Sequence, residues 1–236
     1  MDKPTIIAFD TTSDYISLAL GNSNEIIANQ HIYGPRAHLA HLMPAIDGLL
    51  KRAGLCLPGL DAIAVGTGPG SFTGTRIGIA TAKSLAQGSG KPLIGISSLD
   101  ILAAGLETDP RQLSYPIIDA NRHEIYTAAY HGNTRFSAYQ ILTVDELSEI
   151  MARESAGILA TGNGLVLYEE YFLDKLGDKF ITAAKSKWFP NAKYLIELAE
   201  KSLRQERPPG NDYYTINPIY LRLSDAEERL KRQKRP

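Results

Sequence analysis

Two stretches of this chain open in the same way. Ile7-Ala8-Phe9-Asp10 is an apolar run closed by an aspartate; a polar turn, the apolar run from Ile16 to Leu20 and Gly21 follow. Pro116-Ile117-Ile118-Asp119 repeats the series, with a turn, the run from Ile125 to Tyr130 and the pair His131-Gly132. The two aspartates stand 109 positions apart. A recurring strand, Asp-led turn and strand reads as an internal duplication. It restricts the chain to folds made of two similar halves, each begun by an Asp-turned hairpin.

The first half fills in as follows. Thr5 to Phe9, Tyr15 to Leu20 and Glu25 to Tyr33 read as strands. Leu39, Leu42, Met43, Ile46, Leu49, Leu50 and Ala53 form one apolar helical stripe ended by Gly54, with Pro44 inside it as an expected kink or start. Ala62 to Val65 is a strand, a helix starts near Thr73, Pro92 to Ile96 is a strand, and Ser97 or Ser98 caps a helix running to Gly105. The order β-β-β-α-β-α-β-α predicts a mixed sheet with helices on both faces. In the second half, Arg135 to Leu142 and Gly157 to Ala160 read as strands. Val144 to Arg153, Leu165 to Leu173 and Ala192 to Gln205 read as helices, and Ile216 to Leu223 as extended chain. The expected division is a first domain over 1–106, a second over 107–223 and a charged tail over 224–236. Arg229, Lys231, Arg232, Lys234 and Arg235 make the tail's end basic, with net +2 over 225–236. Such an end is either a solvated frayed helix or a contact for RNA phosphates.

Between the strand at Ala62–Val65 and the next helix lies GTGPGSFTGTR, residues 66–76. Glycine lets backbone approach a neighbour or take φ > 0, and a helix N-terminus offers unpaired N–H groups. Gly68 and Gly70 are thus candidates for a phosphate cradle, and equally for a structural turn or a docking surface. The turns at Asp10-Thr11-Thr12 and Asp119 carry the same ambiguity: they can hold a phosphate or a hydrated metal, or cap their own backbone. Beyond the loop, Gly74, Gly78 and Ala82 recur every four residues and give the helix a small-residue face open to close approach. His38 and His41 lie one turn apart without an evident third ligand, so exposed or interface histidines are the simpler reading.

Complete catalytic sets are missing from the sequence. No Lys-Ser/Thr follows the last glycine of the loop, and Ser71 stands where a dinucleotide fingerprint has glycine. No acidic residue falls at Gln87–Lys91, and neither a GxSxG nor an HExxH run occurs. Two Asp-turned halves nevertheless point to an α/β chain of the actin, Hsp70 and sugar-kinase (ASKHA) architecture, two ribonuclease-H-like domains with mixed sheets flanked by helices. The net charge of −1 gives no overall attraction to nucleic acid or membrane. The lone Cys56 cannot form an internal disulfide. The opening MDKPTIIAFD has no apolar leader core, and no apolar run approaches the ~18 residues of a membrane span, so a cytoplasmic location is expected.

The run DAIAVGTGPGSFTGTRIGIATAKSLAQ (61–87), with KPLIGISSLDILA (91–103), resembles the TsaB (YeaZ) family. HLAHLMPAIDGLLKRAGL (38–55), IIAFDTTSDYISLAL (6–20), IIDANRHEIYTAAY (117–130) and NPIYLR (217–222) are similar to further family segments. The resemblance implies a non-catalytic dimerisation subunit in the formation of threonylcarbamoyladenosine in tRNA. It implies pairing with a TsaD paralogue that holds the metal, the nucleotide and the transfer chemistry, and with a TsaE ATPase. It implies a homodimer when alone, tRNA reached through the complex, and no cofactor or metal of its own. His38, Leu39, Leu42, Met43, Ile46, Gly74, Gly78 and Ala82 are the expected partner contact. Asp10, Thr11, Thr12, Gly68, Gly70 and Asp119 are the expected relics of a phosphate site. The alternatives are an ATP-dependent phosphotransferase with Asp10 on Mg²⁺, and a peptidase, as the family's older glycoprotease label has it.

Overall fold

The computed structural model describes residues 3–34, 38–109, 111–204 and 213–222, without the side chains of His38 and Leu39. The basic tail at 224–236 lies outside the described residues. Strands β1 (Ile6–Asp10), β2 (Tyr15–Gly21) and β3 (Ile26–Tyr33) precede helix α1 (His38–Arg52); β4 (Ala62–Gly66), α2 (Phe72–Ser89), β5 (Leu93–Ile96) and α3 (Ser98–Ala104) follow. The first sheet has the order β3-β2-β1-β4-β5, with β1 antiparallel to β2 and parallel to β4. Pro44 is accommodated inside α1.

The second half repeats this plan. Its elements are β6 (Gln112–Asp119), β7 (Glu124–Thr127), β8 (Tyr130–His131), β9 (Thr134–Arg135), β10 (Gln140–Thr143), α4 (Val144–Arg153), β11 (Gly157–Thr161), α5 (Leu165–Leu176), β12 (Phe180–Thr182) and α6 (Ala192–Leu203). The sheet order is β10-β7-β6-β11-β12, with β6 antiparallel to β7 and parallel to β11. Central strand, antiparallel hairpin partner and parallel neighbours thus correspond one for one, as the duplicated Asp-turned hairpin predicts. The strand expected over Arg135 to Leu142 is split. Ser137 interrupts the ladder, its hydroxyl accepting from the Ala129 N–H (2.8 Å), so a short β8–β9 ribbon precedes β10. Residues 216–222 form no ladder and run as irregular chain.

Side chains alternate across each strand, and the two faces of the first sheet differ in size. Ile7, Phe9, Ile63 and Val65 point into a core with Leu42, Ile46 and Leu49 of α1 and Ile79 and Ala82 of α2. Ile6, Ala8, Ala19, Ala62 and Ala64 face the other way, and their smaller side chains bring Leu195, Ile196 and Ala199 of α6 against the sheet. The sequence division at residue 106 assigns α6 to the second half. Its apolar stripe is instead buried on β1, β2, β4 and β5, while α3 packs against β6 of the other sheet. The last helix of each half therefore covers the sheet of the other. The Ala192 N–H donates to the buried Ser17 hydroxyl (2.8 Å), and Glu200, 3% exposed, accepts from the Ser23 N–H and hydroxyl. Among the described residues no helix is long and apolar enough to cross a membrane.

Candidate functional site

In the turn after β1 the aspartate is sealed. Asp10 is 1% exposed. Its Oδ1 accepts from the Thr12 N–H (2.9 Å) and hydroxyl (2.8 Å), and its Oδ2 from the Ser98 hydroxyl at the start of α3 (2.9 Å). The glycines of the loop make this enclosure. A Cβ at Gly66 would overlap the Asp10 carboxyl group, and one at Gly70, at φ 156°, would overlap the Thr12 carbonyl. The Gly68 carbonyl is fixed by the Ser98 N–H (2.8 Å) and Ser97 hydroxyl (3.1 Å). Ser71 caps α2 by accepting from the Gly74 N–H and gives its own N–H to the Thr12 carbonyl (2.7 Å). The Thr67, Ser71 and Gly74 N–H groups of the loop are used inside the chain. Gly66 and Gly70 thus serve a structural turn, the space left by their missing Cβ atoms being filled by Asp10 and Thr12.

The same geometry corrects the expected partner face. A Cβ at Gly74 would overlap the Thr11 carbonyl and one at Gly78 the Thr11 hydroxyl, which itself donates to the Gly74 carbonyl (2.8 Å). The Gly74/Gly78/Ala82 face is therefore packed on its own β1 turn and β4. Leu42 and Ile46 are each 1% exposed and belong to the core. Of the expected contacts with described side chains, only Met43 is open, at 45%. His38 and Leu39 contribute backbone to the start of α1, their side chains lying outside the description. The face that these helices do present carries His41 and Met43 on α1, and Thr73, Ala80, Ser84 and Gln87 on α2. Glycine spacing announces a close approach without saying what approaches. Among the described residues no three His, Cys, Asp or Glu side chains gather as a metal site.

The turn after β6 is open by contrast. Asp119 is half-buried, receives the Asn121 N–H on Oδ1 (2.9 Å) and gives its own N–H to Asn163 Oδ1 (3.1 Å). Asn121, Arg122 and His123 follow at φ 58°, 57° and 62°, three successive left-handed residues without a glycine. Such conformations cost energy in L-residues and persist where surrounding structure imposes them. Here the Arg222 guanidinium holds the Ala120 carbonyl (2.8 Å) and pairs with Glu124.

Both turns face one cleft of about 1070 Å³ between the halves. Thr12, Asp14 and Phe72 line one wall, Asp119, Asn121, Tyr126 and Asn163 the other, and Tyr220 and Arg222 bridge them. Burial, with Asp119 nearby, raises the pKa of the Tyr126 hydroxyl. The bridging segment 213–222 is anchored by the Ile219 N–H on the Thr67 carbonyl (2.9 Å). At the cleft mouth the Arg76 guanidinium lies 3.8 Å over the Phe72 ring and donates to the Tyr220 hydroxyl (2.6 Å). Sequence reasoning assigned no role to Phe72, Arg76, Asn163, Tyr220 or Arg222. The i,i+4 spacing of Phe72 and Arg76 was a readable sign of a cation–π pair.

Comparison with known proteins places this architecture. Residues 25–230 match the family model described as TsaD, tRNA N6-adenosine threonylcarbamoyltransferase. The chain is 31% identical to the tRNA threonylcarbamoyladenosine biosynthesis protein TsaB of Bacillus subtilis, over 94% of this chain and 96% of that one. It is 30% identical to the TsaB of Haemophilus influenzae, over 94% and 95%. The structure of YeaZ from Pseudomonas aeruginosa superposes with a TM-score of 0.75 at 27% identity, covering 92% of this chain and all of that one. The ethanolamine utilization protein EutJ of Carboxydothermus hydrogenoformans shares the fold alone, at TM-score 0.51 and 11% identity, over 83% of this chain and 90% of that one. The duplicated sheets, the sealed glycine loop and these likenesses over nearly the whole length agree: the chain belongs to the TsaB (YeaZ) family of tRNA threonylcarbamoyladenosine biosynthesis proteins.

Proposed function

We propose that this chain acts in the cytoplasm as a non-catalytic subunit of the threonylcarbamoyladenosine-forming machinery. It pairs with a TsaD-like paralogue that performs the transfer, is joined by a TsaE-like ATPase, and reaches tRNA through that complex; alone, it self-associates through the same face. The observation that carries a non-catalytic role is the state of Asp10. An aspartate serving a metal or a phosphate needs a free oxygen facing the ligand. Asp10 is buried, and donors from Thr12 and Ser98 occupy both of its oxygens. The phosphotransferase alternative, which places Asp10 on Mg²⁺, has no support in that geometry.

The face proposed for pairing is the exposed one of α1 and α2, centred on Met43, Ala80 and Ser84, in place of the buried glycines. A stable pair needs on the order of 1,200–2,000 Å² of total buried surface, within reach of two helices per partner. The test is reconstitution of tRNA modification from purified components with and without this chain. Omission is expected to abolish product. Ala80→Glu is expected to abolish co-purification with the TsaD-like partner while changing stability by no more than about 0.5 kcal/mol. Product formed without the chain, or undiminished pairing of Ala80→Glu, would overturn the reading.

A further inference from the structure

We propose that the groove between α5 and residues 185–189 docks an amphipathic helix of a partner protein, its apolar side on Val166, Leu167 and Trp188 and its lysines and arginines on Glu170 and Asp174. Helix α5 carries more apolar surface than its own core uses. Leu165 and Phe172 are buried and anchor it in the core of the second half. Val166, Leu167 and Leu173 stand in solvent, at 63%, 62% and 43% exposure. Single exposed apolar side chains are ordinary on a protein surface; these adjoin a groove of about 500 Å³. Trp188 is buried and lines that groove. Its indole N–H is already given to the Ala183 carbonyl (2.8 Å), so the ring offers the groove apolar surface alone. The half-buried Phe189 lies beside it in the lining.

The spacing on α5 selects a helical occupant. Val166, Glu170 and Leu173 fall at i, i+4 and i+7 and share one side of the helix. They span about 10 Å of helix axis, or two turns. A second helix lying alongside meets such a stripe with its own apolar residues at i, i+3 or i+4 and i+7.

Charge selects the chemistry of that helix. α4 and α5 pack side by side and together hold six acids and two bases, net −4, whereas the whole chain has −1. The rest of the chain is therefore net positive, and this face is a concentrated acidic surface. Glu169 and Glu170 stand on the α5 wall of the groove; Glu169 accepts from the Thr182 hydroxyl (2.8 Å). The one cation of the lining, Lys185, holds its ammonium 5.5 Å over the Trp188 ring. Among the described residues neither Glu170 nor Asp174, one turn further along α5, has an ion pair. Such a wall draws cations and repels phosphate, so a basic protein segment fits it and an RNA strand does not. α1 and α2 belong to the first half, so this surface is separate from the face proposed for pairing, and neither proposal depends on the other.

The test titrates the full chain with a fluorescent leucine–lysine amphipathic helix and with its counterpart carrying glutamate for every lysine. Saturable binding of the lysine peptide is expected, with none of the glutamate peptide at the same concentrations. Glu170→Lys and Val166→Ser should each weaken binding by about 5-fold or more, the loss expected of a residue central to a contact. Glu149→Lys makes the same charge change on α4, outside the groove lining, and should weaken binding less than Glu170→Lys. All three replace exposed side chains, and circular dichroism checks that each variant is folded. A photoreactive phenylalanine analogue in place of Leu167 then captures the natural occupant in the cell. A crosslink to a lysine- and arginine-bearing helix of another protein supports the proposal. Crosslinks only to residues 229–236 of this chain, to a second copy, or to an acidic segment would overturn the assignment of the partner. No saturable binding of the lysine peptide, equal binding of the glutamate peptide, or equal losses in Glu149→Lys and Glu170→Lys would overturn the groove itself.

Discussion

The two halves begin with the same strand, the same aspartate and the same hairpin, yet their turns have opposite fates. In the first half, Gly70, Gly74 and Gly78 lie over Thr11 and Thr12, just past Asp10, and cover the turn. In the second, Gly162 and Gly164 lie over Ile117, two residues before Asp119. The covering loop thus runs from Asp10 to two residues past it in one half, and from two residues before Asp119 only as far as its N–H in the other. That offset in where backbone touches backbone leaves one aspartate inside and the other at the cleft. A duplicated sheet conserves strand order through the packing of its core, whereas the turns at the strand ends diverge with the placement of a few glycines. The first aspartate became structure, and the second kept a face to the cleft.

The sharpest way to break this contrast is at the cover itself. Gly78→Glu places a side chain into the Thr11 hydroxyl and a charge beneath α2, so a loss of about 4 kcal/mol or more is expected. Circular dichroism should show the variant unfolded or expanded, and a native melt would contradict the packing described here. Asp10→Ala comes next. It leaves the buried Thr12 N–H without its acceptor, and about 3 kcal/mol should be lost in urea unfolding.

The seam between the halves responds to alkali. The Tyr130 and Tyr139 hydroxyls both donate to Asp100 on α3, at 2.6 and 2.5 Å. Burial first, then Asp100, pushes Tyr139 up to about 12, while an unfolded tyrosine titrates near 10. The native state holds this proton more tightly than the unfolded chain, so its contribution is complete below about pH 10 and fades as pH rises towards about 12. Unfolding midpoints measured across that window should fall. Tyr139→Phe should flatten part of the slope, the remainder coming from Tyr115, which burial also pushes to about 12, and from Tyr130. The smallest effect belongs to the open turn. Asp119→Ala removes an acceptor from one N–H at the surface and should cost less than about 1 kcal/mol. A loss equal to that of Asp10→Ala would erase the distinction between the two turns.

Much of the fold was legible in the chain because hydrophobic period and turn chemistry are local. The Asp10 and Asp119 hairpins, the α1 stripe ending at Gly54 and the β4–loop–α2 unit all follow from residues close in sequence. What could not be read depends on which distant surface meets which. Gly74 and Gly78 declare a tight contact, but only the fold shows that Thr11 fills it. Leu42 and Ile46 declare an apolar face, but only the fold shows that β2 and α2 already cover it. The left-handed run Asn121–His123 contains no glycine to mark it, and it is held by Arg222 from about a hundred residues away. β12 is three residues long and has no period to detect.

The exchange of terminal helices also sets a timetable for synthesis. The first sheet is complete in sequence by Ile96, but the Ile6, Ala8, Ala19 and Ala62 side is closed only by α6, whose first residue is Ala192. A ribosome adding roughly 5–20 residues per second therefore leaves that apolar surface bare for about 5 to 20 s. During that interval the emerging chain holds a nearly finished sheet with one greasy side exposed. Nascent copies should be clients of holdase chaperones until the final helix docks.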